Sequence, residues 1–374
     1  MKNQLLLTLG LGTALGACSA TAQITMTPLT GFGTTGSGWL APNTVDGSTY
    51  TYLTTGSTER GLAYGDGDLF LVSRNGGNNV RILNPTTGAD IGSLNTTGIS
   101  GGTFAESMIA VGGDGTVYVG NLTTSATSPF NIYAWTVGNF YSAPTLVYSG
   151  NPLGGGTRLG DDLAAIGSGG STELVAGFGA GSSGYEVINP STATATAVSF
   201  TGSPPNAGDF RLGITFADSS HVIGTQGSTL YRYSAFSGST GTLLASPALS
   251  GSADRPLGYI SIDGVNLMAS VSTGDNHVTI YNMTDPTAPV IVAQGNATTG
   301  TLPANANATG DIAWGSPTIN GDGSFSVDLY AMSTSDGIQA FDVNYAVPEP
   351  SVTALTLVGL GCVLQWRRRR AAGV

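Results

Sequence analysis

The chain has 374 residues, only 9% of them charged, and a formal net charge of −11. Between residues 23 and 346 seven arginines face 22 carboxylates and there is no lysine, a net charge of 7 − 22 = −15. This negative charge repels phosphate backbones, which argues against nucleic acid as a partner. The same stretch has no cysteine, which excludes a disulfide, a thiolate zinc site and a cysteine nucleophile there.

The first 22 residues predict a cleavable secretory signal peptide, helical in its apolar part. Lys2 precedes the apolar run 5–12, and the small residues Ala20 and Ala22 form the cleavage site before the next residue. An alternative stays open, because residues 15–18 resemble the lipobox of bacterial lipoproteins. Cys18 would then carry a lipid and become the new N-terminus.

Residues 23–346 predict a single all-β domain made of repeats. Each repeat has a tight corner, rich in Asp and Gly, between two apolar strands, and the corners recur at roughly 45 to 60 residues. A third strand follows in every copy, and a fourth in several. The corners lie at 65–68, 113–115, 168–171 (a degenerate copy), 218–220, 263–264 and 321–323.

Three or four antiparallel strands per repeat at this period predict the blades of one β-propeller. We favour six blades between Arg60 and Asn344 over seven, and an irregular β-sandwich pair or a β-helix remains the alternative architecture. The last repeat ends after its third strand, so the segment 24–29 is expected to add the fourth and close the ring. The Asp-Gly corners are expected to form type I′ turns, because glycine accepts a positive φ.

The domain contains only two histidines, His221 and His277. Each lies in or beside a predicted strand. A hydrolase triad or a two-histidine metal site would require the two side chains to meet in space. We predict that they do not, and that the domain has no catalytic or cofactor-binding residues.

Two acidic pairs, Asp66 with Asp68 and Asp161 with Asp162, have the residue type that a glycosidase uses. Paired carboxylates in turns are usually solvated, and we expect that role for both pairs. Calcium is left open as a ligand of such turns, although none has the full spacing of a calcium loop. Four aromatic residues are candidates for a carbohydrate platform: Trp39, Trp135, Tyr141 and Trp314.

The C-terminal residues 347–374 contain three parts in a fixed order. Pro348, Glu349 and Pro350 come first, an apolar stretch over 352–366 follows, and a basic cluster closes it with Arg367, Arg368, Arg369 and Arg370. The stretch is short for a membrane span, which needs about 20 residues. The arginines would nevertheless hold its end in the cytoplasm. A single-pass hydrophobic helix with the Pro-Glu-Pro motif on its outer side is the predicted result.

These three parts together resemble the PEP-CTERM sorting signal. In that family an exosortase, a membrane-embedded cysteine transpeptidase, recognises the motif and removes the tail. Proteins of this kind are typically exported by Gram-negative bacteria that make exopolysaccharide or biofilm. The resemblance implies transient anchoring in the inner membrane, an exosortase as partner, and a final place at the cell surface or outside the cell.

For residues 23–346 we expect a non-enzymatic surface or matrix protein that uses a propeller face to bind, with extracellular polysaccharide as the ligand. The alternative is a secreted propeller enzyme acting on carbohydrate. Two carboxylates from different strands in one pocket would favour the enzyme. The residues 59–64 and the strand-turn-strand order also resemble uncharacterised secreted propeller families.

We expect the Pro-Glu-Pro motif to be necessary for removal of the tail. Prolines keep a segment extended and unpaired, so an enzyme can reach its backbone. We expect the double substitution Pro348→Ala and Pro350→Ala to leave the protein exported but uncut and membrane-bound. The unchanged protein should lose its tail and leave the membrane fraction. Intact-mass analysis decides the matter, and surface-released protein that still carries the apolar tail would refute cleavage.

Overall fold

The computed structural model describes residues 23–125, 127–151, 153, 158–179, 181–202, 204–226, 230–249 and 254–347. The predicted signal peptide with Cys18, Ala20 and Ala22, and the sorting signal from Pro348 onward, lie outside the described residues. Ile24–Asn344 form one compact region, and the other region, Met1–Gln23 with Tyr345–Val374, is almost wholly outside the described part. Within the ranges above, no helix is both long and apolar enough to cross a membrane.

Strands account for nearly all of the regular structure in the described residues, with one short 3-10 helix at Gly169–Ser171. The first two are β1 (Gln23–Pro28) and β2 (Trp39–Leu40). The strands after them fall into six successive antiparallel groups, here called strand units 1 to 6.

Unit 1 contains β3 (Glu59–Gly65), β4 (Asp68–Ser73), β5 (Asn79–Leu83) and β6 (Asp90–Ser93). Unit 2 contains β7 (Phe104–Val111), β8 (Val117–Leu122), β9 (Phe130–Trp135) and β10 (Thr145–Gly150). Unit 3 contains β11 (Ala164–Ile166), β12 (Glu173–Gly177), β13 (Tyr185–Asn189) and β14 (Thr194–Phe200).

Unit 4 contains β15 (Gly213–Asp218), β16 (His221–Thr225), β17 (Tyr231–Ser237) and β18 (Thr240–Ala245). Unit 5 contains β19 (Asp254–Ile262), β20 (Val265–Ser272), β21 (Val278–Asn282) and β22 (Val290–Gly295). Unit 6 contains β23 (Gly310–Trp314), β24 (Thr318–Ile319), β25 (Phe325–Ser333) and β26 (Ile338–Ala346).

The first strand of every unit lies at the edge of its sheet, and these six edge strands form a ring. They are β3, β7, β11, β15, β19 and β23. Each contacts the edge strand of the next unit, and β23 returns to β3. The predicted all-β fold with a propeller-like arrangement is therefore confirmed.

The N-terminal strand completes the last sheet, as the sequence predicts. In unit 6 the hydrogen-bonded order is β23, β25, β26 and then β1, so β1 supplies the fourth long strand. A second feature was not predicted: the outer strands β14 and β18 pair in parallel at Ser199–Thr240 and Phe200–Gly241. This pairing merges units 3 and 4 into one sheet of eight strands.

The hydrophobic core lies between neighbouring sheets. One buried cluster combines Phe70 and Ile82 of unit 1 with Ile109, Val119 and Tyr133 of unit 2. The central strand β8 is buried along its whole length, because a sheet packs on each of its faces. The outer strand β14 instead alternates between inward and exposed residues, as a half-buried strand does.

The Asp-Gly corners follow the predicted turn type in two of four cases. At Asp66-Gly67 and Asp263-Gly264 both residues have positive φ, between 48° and 82°, which defines a type I′ turn. At the corners that contain Gly115 and Gly323, only the glycine has a positive φ, 79° and 82°. The type I′ prediction is wrong there, because these corners are one residue longer and place a single left-handed glycine before the next strand.

Close contact between edge strands requires glycine at Gly213. A Cβ atom built there would lie 1.6 Å from the carbonyl oxygen of Arg255 in the next unit. We predict that Gly213→Ala lowers the free energy of unfolding by about 1–3 kcal/mol or more, because the strands must separate. Urea denaturation measures this. The control is Gly321→Ala, whose new methyl group meets open space, and equal losses in both variants would contradict the steric explanation.

Candidate functional site

A central channel of about 540 Å³ is lined by residues of all six edge strands. Its two ends differ in chemistry. Arg60 and Arg255 are outside the lining and lie at or near the starts of their edge strands, so we call this side of the channel the arginine end. Tyr64, Tyr259 and Trp314 lie further along their strands and line the cavity at what we call the aromatic end.

Two buried carboxyl groups, Asp162 and Asp311, line the channel and connect neighbouring edge strands. Asp162 accepts a backbone N–H bond of 2.7 Å from the next residue and one of 2.5 Å from Ile214 in unit 4. Asp311 likewise accepts 2.8 Å from its following residue and 2.9 Å from Leu62 in unit 1. Each side chain thus satisfies edge-strand N–H groups that no ladder can reach.

Burial raises the pKa values of both carboxyl groups. It raises the pKa of Asp162 to about 7, although the bonds from two backbone N–H groups work in the opposite direction. The pKa of Asp311 is raised well above its usual value, first by burial and then by the negative charge of Asp162. Because the two negative charges repel each other, ionisation of one carboxyl group disfavours ionisation of the other.

The acidic pairs singled out in the sequence have different surroundings. Asp66 is exposed in its turn and Asp68 is half-buried, as expected for a turn pair. Asp161 and Asp162 are only 1% and 4% exposed, so the expectation of a solvated pair is wrong for them. No group of three or more His, Cys, Asp or Glu suited to a metal occurs among the described residues. Calcium stays a prediction without a specific site.

The two histidines are separated, since one lies in unit 4 and the other beside β21 of unit 5. His221 lies 2.9 Å from a carboxylate oxygen of Asp218 and stacks on Tyr233 at 5.4 Å between ring centroids. His277 has its own neighbour, Asp275, at 3.5 Å. Each imidazole thus has a local partner, and the structure does not bring the two together.

Ion pairs at the arginine end converge on one carboxylate. Arg158 donates from Nε and Nη2 to the two carboxylate oxygens of Asp161, with 2.6 Å between Nη2 and Oδ1. The guanidinium groups of Arg211 and Arg60 approach the same carboxylate at 3.7 Å and 3.9 Å. These arginines were not among the candidate residues predicted from the sequence. Their signal was positional, because Arg60, Arg211 and Arg255 all lie just before or at the start of an edge strand.

The candidate aromatic residues do not share one surface. Trp39 and Trp135 are buried and donate their indole N–H groups to the backbone carbonyls of Asp336 and Asn95. Tyr141 is 74% exposed on the outside. Only Trp314 lines the channel, where it donates to a backbone carbonyl at 3.1 Å.

The fold and the channel define a propeller-like protein whose edge strands enclose a pocket with a basic end and an aromatic end. The chain belongs to the DUF4623 family, described as a domain of unknown function, whose model matches residues 35–231. No protein with a curated description matches it.

Two solved structures have a similar fold. A DUF4623 family protein from Bacteroides eggerthii has a TM-score of 0.58 and 16% identity, covering 79% of this chain and 72% of that one. The major allergen Mala s 1 of Malassezia sympodialis has a TM-score of 0.51 and 12% identity, covering 79% and 94%. At these identities the likeness concerns the fold alone.

Because several acidic side chains are buried, we expect the free energy of unfolding to increase as the pH is lowered from 9 to 6. Burial raises the pKa of Glu106 and that of Glu186 to about 8, while their unfolded values lie near 4.5. Such groups stabilise the fold below the unfolded pKa, and this contribution is lost as pH rises through the folded pKa. We expect the free energy of unfolding to increase by more than about 1 kcal/mol from pH 9 to pH 6.

Denaturation at several pH values measures this increase, and Glu106→Gln should reduce it because the amide cannot ionise. The matched control is Glu173→Gln, at a half-buried position at the start of β12. A stability that stays flat or falls between pH 9 and pH 6 would contradict the assignment.

Proposed function

We propose that this protein is an exported, non-enzymatic binding module that holds a saccharide at the aromatic end of its channel. The observation that carries the proposal is the convergence of Tyr64, Tyr259 and Trp314 from three different strand units on one cavity. All three side chains are half-buried, so each keeps an accessible part. Aromatic rings with polar handles are suited to the mixed apolar and hydroxyl surface of a sugar.

The lining between these rings supports the same ligand class. Ala63, Ala165 and Ala313 keep the channel open, and Thr215 and Ser316 add hydroxyl groups. A volume of a few hundred Å³ is usual for a small-molecule site, and the wall of this channel combines polar with apolar groups. A short saccharide or a chain end fits this volume better than a continuous polymer.

Export and sorting form the second part of the proposal. The leader, the Pro-Glu-Pro motif and the arginine cluster support secretion, exosortase processing and a place at the cell surface or in an extracellular matrix. Six blades are proposed for the propeller, supported by six edge strands in one ring and by β1 at its closure. Extracellular polysaccharide is then the natural source of the sugar.

Neutral oligosaccharides test the binding site directly. A screen of immobilised glycans against the purified protein should give at least one neutral hit, and Trp314→Ala should weaken that hit by about tenfold or more. Tyr141→Ala is the control, because it removes an aromatic ring that is exposed on the outer surface. Thermal melting of both variants checks folding. Absence of any neutral hit, or full binding by Trp314→Ala, would refute the proposed site.

A secreted enzyme acting on carbohydrate remains the second candidate, because Asp162 and Asp311 bring two carboxyl groups from different strands to one cavity. Against it, both groups already accept two backbone N–H bonds each. The same screen separates the two functions. Turnover of a bound glycan that disappears in Asp311→Asn, with binding retained, would establish the enzyme and overturn the non-enzymatic proposal.

A further inference from the structure

Most of the positive charge in the described chain gathers at the arginine end, which the saccharide proposal does not use. Five of the seven arginines between residues 23 and 347 lie there. They are Arg60, Arg74, Arg158, Arg211 and Arg255. Among the described residues, Arg60, Arg74, Arg158 and Arg211 have Asp161 and Glu59 as carboxylate neighbours, and Asp161 is shared by three of these four. The cluster therefore holds more positive than negative charge.

Arg60 is the centre of this imbalance. Its side chain is only 3% exposed, yet its Nε and Nη1 atoms have no hydrogen-bond acceptor among the described residues. The 3.9 Å approach to Asp161 is an ion pair without a hydrogen bond. A buried guanidinium normally has its fork satisfied, because an unpaired buried charge is costly.

The neighbours of Arg60 oppose its charge more than they support it. Burial, followed by the positive charges of Arg74, Arg158 and Arg211, lowers the pKa of Arg60 to about 10, and Asp161 works in the other direction. On one side the guanidinium groups of Arg60 and Arg74 lie over the ring of Phe104, at 5.7 Å and 3.5 Å from its centroid. A ring face offsets cationic charge only in part.

Solvent reaches the cluster through its outer members. The side chain of Arg158 is 34% exposed and that of Arg211 is 22% exposed. The Nε atom of Arg211, like that of Arg74, has no hydrogen-bond acceptor among the described residues. The cluster thus holds unpaired N–H donors on Arg60, Arg74 and Arg211, and its outer members Arg158 and Arg211 are partly open to solvent.

We propose that the arginine end of the channel is a binding site for an oxyanion group, in which Arg60 and Arg211 donate their free N–H groups to its oxygen atoms. Guanidinium forks match the paired oxygens of a carboxylate, a sulfate or a phosphate. The ligand is a small anion or a chain end, because the net charge of −15 on residues 23–346 repels a long polyanion. The site is separate from the aromatic end and does not depend on the saccharide proposal.

Calorimetric titration of the purified protein with sodium galacturonate, sulfate and phosphate, at matched ionic strength in chloride, tests the site. At least one of the three should bind saturably, and which of them binds identifies the group. Arg211→Gln should weaken that binding by about tenfold or more. We expect this variant to fold, because the side chain of Arg211 is partly exposed. Arg81→Gln removes the same charge from an outer strand, where Arg81 pairs with Asp90, and should bind as the unchanged protein does.

Arg60→Lys adds a second readout, since an ammonium keeps the charge but lacks the fork, and it should weaken binding while the protein still melts cooperatively. Trp314→Ala should leave anion binding unchanged, which separates this site from the aromatic end. Heat signals that match chloride alone, or equal affinities in Arg211→Gln and Arg81→Gln, would show only general charge screening and would overturn the proposal.

Discussion

Six strands lie at the edges of their sheets, and this position determines how the central channel is built. Each strand unit begins with a strand that has a ladder partner on one side only, and these strands meet around the channel. Their free N–H groups still need acceptors, because an unpaired buried backbone group is costly. Asp162 and Asp311 supply them across two junctions between units. Glycine at positions such as Gly213 lets the chains approach closely enough for this arrangement.

The same constraint explains the charge pattern of the channel. Acids that bond to backbone N–H groups in a buried ring lose solvation, so their pKa values rise and their charge is reduced. Asp161, the residue before Asp162, instead pairs with several guanidinium groups at the arginine end. An acidic protein thus has a basic pole at one end of its central cavity. The proposed anion site depends on this local contrast, since the overall negative charge repels large polyanions.

The sequence was sufficient for the fold class because its signal is local and repeated. Alternating apolar residues and Asp-Gly corners at a regular period predict strands and hairpins, and the missing last strand predicts closure by the N-terminal segment. The parallel pairing of β14 with β18 escaped prediction, because it joins two outer strands far apart in the chain with no turn between them. The site was harder still. Asp161 and Asp162 look like an ordinary turn pair until tertiary packing buries them.

The arginine cluster could not be predicted from the sequence either. Singly, Arg60, Arg211 and Arg255 are unremarkable in the sequence, and only ring closure brings their side chains to one place. Aromatic residues were equally ambiguous, since Trp39 and Trp135 turned out to be packing residues and Trp314 to line the channel. Which side chain a propeller-like fold directs into its centre depends on register, and one residue of shift reverses the direction.

A crystal structure with selenate would locate the proposed anion site, because the anomalous signal of selenium identifies the position of the anion directly. We expect a strong peak at the arginine end, with selenate oxygens within hydrogen-bond distance of the guanidinium groups of Arg60 and Arg211. Ordered selenate found only at other surface positions, with the Arg60 fork satisfied by protein atoms alone, would contradict it.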